Sequence, residues 1–351
     1  MRSNDALHLG LMIGALAASY LVPFELLLLA YVVLGPAHYF TEISWLHDRS
    51  YYLPHRGIAA VLAIVAVVAA LIDNASWFGS AMWGALVVCA MLAATTSAIE
   101  SMLLFMAAIA LSAIMYSSGS SLAVIGILIP TLIHVSLFTL IFMVLGAYRS
   151  GSRIQAALVA VYLVAIATIL LLPPTAEIRI ASFARVGQDY FGNVGPALSR
   201  LFGVPGLVLD TRLTSLLAFV YTYHYLNWFI KADVIRWTAV PKARLVAMAC
   251  ASAASTALYF YDYAFGFTFL LALSLIHILL EFPLDSLALR QLGSAVQGGL
   301  RARYAGPAAA SATRSRSTGT QPRNGPPGRA DHPAARLRRY ATSSAIAEPM
   351  K

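Results

Sequence analysis

The sequence predicts an all-α fold: a polytopic transmembrane helical bundle of about ten spans with both termini inside. Three observations carry this. Hydrophobic residues make up 60% of the chain and charged ones only 11%, where a soluble globular chain has about 25% charged residues. The apolar residues gather into runs of about 20, the length that crosses a bilayer core. Lys and Arg fall in alternate connections between these runs, as the cytoplasmic preference of basic loops requires.

In chain order, the apolar runs lie at about 7–22, 24–46, 57–73, 76–95, 98–116, 121–147, 154–172, 213–231, 244–262 and 264–284. The first is short, and Pro23 with Glu25 marks its border with the second. It continues almost unbroken into that second run and shows no small-residue cleavage site, so no removable signal peptide is expected. With Arg2 inside, ten crossings put Arg49 and Arg56, Arg149 and Arg153, and Lys231, Arg236, Lys242 and Arg244 inside as well. The opposite connections hold Asp73, Asp262, the uncharged stretch 116–120 and the mixed segment 173–212. This pattern fits a multi-pass protein of a bacterial-type inner membrane.

Residues 1–290 are read as the transmembrane domain, with 173–212 as an extracytoplasmic cap or loop. Residues 291–351 are rich in Pro, Ala and Arg and are expected to form a disordered cytoplasmic tail. Residues 1–285 hold thirteen basic and thirteen acidic side chains, and 286–351 hold eleven and two, so the whole net charge of +9 lies in residues 286–351. That distribution argues against nucleic acid as a partner and suits contact with anionic membrane lipids. Cys89 and Cys250 both sit in apolar runs, which indicates no disulfide framework.

Ionisable side chains at membrane depth are costly and mark candidate functional sites. His38 and Glu42 stand four residues apart on one helix face. His277 and Glu281 repeat that spacing, and Asp285 follows by four more. His134 and His224 lie in the sixth and eighth runs, and Glu100 begins the fifth. The second, sixth, eighth and tenth spans would all run from outside to inside, which brings His38, His224 and His277 into the cytoplasmic half, with His134 near the middle of its span. The fifth runs the other way, so that Glu100 at its start also lies near the cytoplasm. Pro283 is expected to end or bend its helix.

Imidazoles and carboxylates on facing helices suit iron or zinc. The expected metal ligands are His38, His134, His224 and His277, with Glu42 and Glu281 as catalytic carboxylates. Glu100, Tyr221, Tyr223, Asn227, Trp228 and Asp285 would orient ligands or line the cavity. His134 alone in its run also suits an interhelical hydrogen bond, and the aromatic neighbours of His224 also suit an interfacial belt. The chain has no HExxH, Walker A loop, GxSxG or CxxCH, and it lacks the long histidine boxes of membrane desaturases.

The leading reading is a non-haem iron oxygenase acting on a lipophilic small molecule, a carotenoid or another lipid. Its redox partner is not readable. The alternatives are a zinc-dependent lipid hydrolase, a proton-coupled transporter, and a protein binding haem through two histidines.

Two stretches carry a family resemblance. Gly35-Pro36-Ala37-His38, with Glu42 four residues on, resembles a motif of the Brp/Blh group of membrane-embedded carotenoid-cleaving dioxygenases. Residues 221–228, YTYHYLNW, are similar to that group's aromatic-rich histidine segment. The resemblance implies intramembrane histidines holding a single iron that cleaves β-carotene to retinal. The chain departs from the family pattern with Glu42 where Asp is usual and Trp228 where a second His stands.

Overall fold

A computed structural model of the chain describes residues 3–71, 75–94, 97–117, 132–172, 174 and 211–304. Among these residues the structure is helical and contains no strand. A helix lies on each of the ten apolar runs. They are α1 (Ser3–Leu21), α2 (Pro23–Asp48), α3 (Arg56–Leu71), α4 (Ala75–Ala94), α5 (Ala98–Ser117), α6 (Ile133–Ser150), α7 (Arg153–Leu171), α8 (Thr211–Ile230), α9 (Lys242–Tyr261) and α10 (Tyr263–Tyr304).

Local chemistry sets the breaks. Val22 leaves helical geometry at φ −138° and Pro23 opens α2, where its missing N–H is no loss. Gly151 ends α6 in the left-handed region at φ 60°. Ser152 then accepts a hydrogen bond from the Gln155 amide to start α7.

Five of these helices are long and apolar enough to cross a membrane: α2, α6, α7, α9 and the Tyr263–Gln297 part of α10. The outward faces of the described helices, the shorter ones included, are apolar too. Ile64 and Val61 on α3, Ile99 and Met106 on α5, and Val164 on α7 are all more than half exposed, a surface suited to lipid rather than water. Helix α8 is not among the five, because hydroxyl, amide and imidazole groups dilute its apolar content. It is instead buried on most sides from Thr214 to Trp228, which makes it the central post of the bundle.

Two apolar cores flank that post. Met12 of α1, Val135 of α6 and Tyr162 of α7 pack with Phe219, Val220 and Tyr223 of α8. On the other side Leu46, Leu62, Met82 and Cys89 pack with Leu275, Leu279 and Phe282 of α10.

Of the two outcomes expected at Pro283, an end or a bend, the structure excludes the end: α10 runs through it to Tyr304. An interior proline lacks the N–H that would bond the carbonyl four residues before it, here that of Leu279. The Cys89 thiol donates to that carbonyl at 3.8 Å. Pro36 in α2 follows the same rule, since the Val32 carbonyl accepts the Thr256 hydroxyl at 2.8 Å. Side chains from neighbouring helices thus satisfy both freed carbonyls, the solution open to a helix in a medium without water. Helix α10 continues beyond residue 291 to Tyr304. The rest of the expected tail, 305–351, lies outside the described residues, as do nearly all of the expected cap at 173–212 and residues 121–131 of the sixth run.

Candidate metal centre

Four helices each bring a histidine to one point. Helix α2 supplies His38 and, one turn on, Glu42; α6 supplies His134; α8 supplies His224; and α10 supplies His277, Glu281 and Asp285 along one stripe. All seven side chains are buried. Both α2 and α6 depart from regular geometry beside their histidine. Residues Ala30–Leu34 form a π-helical turn just before Gly35, and a second such turn, Ile133–Phe138, contains His134. Such turns shift helix register by a fraction of a turn and recur at functional sites.

The donor atoms converge. His38 Nε2 lies 3.2 Å from His224 Nε2, and Glu42 Oε2 lies 3.0 Å from both His38 Nε2 and His277 Nε2. Glu281 Oε2 lies 3.3 Å from His277 Nε2 and 3.3 Å from His134 Nε2. His38, His224 and His277 form one group whose ligand atoms all lie within 4.8 Å of one another, and His134, His277 and Glu281 form a second. Donors bonded at about 2.1 Å to one ion stand roughly 3.0–3.4 Å apart, so the spacing fits a transition metal.

Several partners fix the rings. Thr139 Oγ1 donates to the Val135 carbonyl at 2.8 Å and sits 2.8 Å from His224 Nδ1. With its proton so used, the hydroxyl accepts from Nδ1–H, and the lone pair of His224 is left on Nε2, facing the cluster. His134 Nδ1 lies 3.5 Å from Asp285 Oδ2, an outer carboxylate behind a ring whose Nε2 faces Glu281. Next to the histidines in sequence, Tyr39 and Tyr225 share a 2.6 Å hydroxyl–hydroxyl hydrogen bond that ties α2 to α8. The Tyr39 phenol lies over Gly35, where a β-carbon would stand 3.0 Å from its oxygen. Trp228 Nε1 donates to Thr41 Oγ1 at 3.0 Å one turn further on.

The electrostatics ask for a cation. Glu42, Glu281 and Asp285 are buried together, and isolated carboxylates in such a place cost several kcal/mol each. His134 Nε2 and Glu281 Oε2 are buried without hydrogen-bond partners, and the lone pair of His224 meets His38 Nε2 at 3.2 Å. A metal ion among these atoms would satisfy all of them at once.

Most of the residues singled out from the sequence meet here: all four histidines, Glu42 and Glu281, with Asp285 behind His134. Tyr223, Asn227 and Trp228 line the adjoining cavity. Two do not belong. Glu100 is exposed in the first turn of α5, where its amide bonds Ser97 Oγ. That start of α5 faces outward, so depth alone did not bring Glu100 inward. Tyr221 packs edge-on against Tyr225 at 6.0 Å and lies outside the cavity lining. Thr139 and Thr41 were missed, although a hydroxyl in an apolar run that must pair with something is a signal the sequence offers.

The cavity has a volume of about 570 Å3. Its lining includes His38, Glu42, His224 and Glu281 and the basic residues Arg49, Arg149, Lys231 and Arg236. No protein-family model, curated protein or solved structure matches the chain.

Proposed function

We propose that the chain is a membrane-embedded, metal-dependent enzyme acting on a lipophilic substrate, with iron as the metal and oxidation as the chemistry. The observation that carries this reading is the convergence of four imidazoles and two carboxylates from four helices at metal-ligand spacing, with His38, His224, Glu42 and Glu281 among them on the wall of a cavity. His38, His134, His224 and His277 would hold the ion with Glu42 and Glu281. Bound there, iron would supply dioxygen activation, and zinc would supply an activated water for hydrolysis.

The protein's own contribution is position and exclusion. Glu42 and Glu281 reach both the histidine nitrogens and the cavity, so either can take or return a proton at a carboxylate oxygen. Phe142, Met143, Leu158 and Trp228 keep bulk water from the reacting end. The resemblance of residues 35–42 and 221–228 to carotenoid-cleaving dioxygenases supports oxygenase chemistry over hydrolysis. Haem fits less well, because His38 and His224 face each other at 3.2 Å beside a carboxylate, and a porphyrin needs its axial nitrogens about 4 Å apart on opposite faces of a wide slot.

We read the ten helices as ten crossings with both termini inside, in a plasma membrane of bacterial type. Loop charge supports this, as does the meeting of Arg49, Arg149, Lys231 and Arg236 around one cavity. The test is metal analysis of purified protein with its visible spectrum. About one iron per chain without a Soret band is expected; stoichiometric zinc moves the reading to hydrolysis, and protein that binds no metal overturns it.

A further inference from the structure

We infer that the substrate is a single-chain anionic amphiphile, with a carboxylate or phosphate head held at the basic end of the cavity and its reacting bond beside the histidines. This deepens the proposed enzyme and rests on that reading for its site.

The helices themselves set the geometry. Arg49 follows His38 by eleven residues and Lys231 follows His224 by seven, which at 1.5 Å per residue places their α-carbons about 16 Å and about 10 Å beyond those of the histidines, with the Arg49 side chain folded back over Trp45. Between the two ends the lining is mostly apolar, with Trp45, Phe142, Met143, Ile230 and Leu284 beside the amide of Asn227. The order along the cavity is therefore anion-binding, apolar, metal-binding.

Basic residues at helix ends are expected on a cytoplasmic face in any case. Cavity lining separates the relevant ones from the rest. Arg244 is spent on Asp48, at 2.9 and 3.0 Å, and on the Ser44 carbonyl, and neither it nor Lys242 lines the cavity. Arg49 does. Its guanidinium stacks over Trp45, 3.9 Å from the ring centroid, and donates to the Trp45 carbonyl at 3.1 Å, yet its Nε is buried with no partner. Lys231 and Arg236 line the cavity with no ion-pair partner among the described residues, while Arg149 is held by Gln291. Among the described residues that line the cavity, the acids are Asp5, Glu42 and Glu281, the last two beside the histidines. A guanidinium held planar on an indole, with a free N–H, is a standing receptor for a carboxylate or phosphate. A neutral hydrocarbon would leave it unsatisfied.

The test is binding of oleate and of methyl oleate to the purified full-length protein in zwitterionic nanodiscs, with metal content measured on the same samples. Oleate should bind at least tenfold more tightly than its ester. The Arg49→Gln/Lys231→Gln double variant should lower oleate affinity to that of the ester, and Lys242→Gln should leave it unchanged. Lysophosphatidate should compete with oleate, while inorganic phosphate should not.

Equal affinity for acid and ester in the wild-type protein overturns the inference without need of any variant. So does displacement by phosphate alone, which marks a free-anion site, or preference for phosphatidylglycerol over oleate, which marks a bilayer-headgroup site. Metal-loaded protein that binds acid and ester equally leaves the enzyme and removes this substrate. Metal-free protein that still selects oleate does the reverse.

Discussion

Along α5, Ile99, Met102, Leu103, Phe105 and Met106 stand exposed, while along α8 Thr214, Ser215, Thr222, His224 and Asn227 are buried. In the wall made of α3, α4 and α5, Cys89 reaches out to α10, while a serine pair is spent within the wall. Ser80 and Ser112 each donate to the other's carbonyl, at 2.8 and 3.1 Å, and Gly84 lets Ser112 approach so closely that an added β-carbon would stand 2.6 Å from its hydroxyl. That is small-residue helix packing, where contact and local hydrogen bonds hold the pair. The four site helices instead aim imidazoles and carboxylates at a shared centre and tie them there with Thr139, Thr41 and paired tyrosines. One region is built to be an inert lipid-facing wall. The other buries three carboxyl groups among four imidazoles, a donor set that could hold a metal ion.

Substitutions on the two sides should separate cleanly. The largest effect is expected for His38→Ala or His277→Ala, each of which should lower metal affinity by more than about 100-fold while the protein still inserts, as measured by metal stoichiometry after dialysis. Retained stoichiometric metal in both would break the contrast. Thr139→Val removes only the acceptor behind His224 and should weaken metal binding about 10–100-fold; Asp285→Asn should act in the same direction through His134. An unchanged affinity in both would show that the rings need no outer support.

On the wall, Gly84→Leu forces a side chain into Ser112 and should destabilise the fold by about 1–3 kcal/mol. Thermal denaturation would report this, with metal content of the folded fraction unaltered. The smallest effect belongs to Glu100→Gln, exposed at the start of α5, expected within about 0.5 kcal/mol in stability and neutral for metal. If Glu100→Gln lost metal, the separation drawn between wall and site would be wrong.

Much of this contrast is written in the sequence. A histidine or acid inside an apolar run is conspicuous because its burial is expensive, and the spacing of His38 with Glu42 and of His277 with Glu281 fixes which helix face they share. Loop charge further predicted that these residues occupy one half of the bundle. Rotation about each helix axis is not in the pattern, which is why Glu100 looked like Glu281 before the fold was known. The two π-helical turns and the carbonyl partners of Pro36 and Pro283 were equally hidden. They depend on Thr256 and Cys89 arriving from other helices, a tertiary fact that a local rule about proline does not contain. For the same reason a helix end stayed open at Pro283 in the sequence, whereas α10 continues through it and carries His277, Glu281 and Asp285 on one helix.

X-ray absorption at the metal edge of the purified protein bears most directly on the centre. The account predicts an iron coordinated by three or four imidazoles and at least one carboxylate oxygen at about 2.0–2.2 Å, with the imidazole scattering reduced in the His277→Ala protein. A spectrum without imidazole scattering, or one identical in wild type and variant, would contradict it.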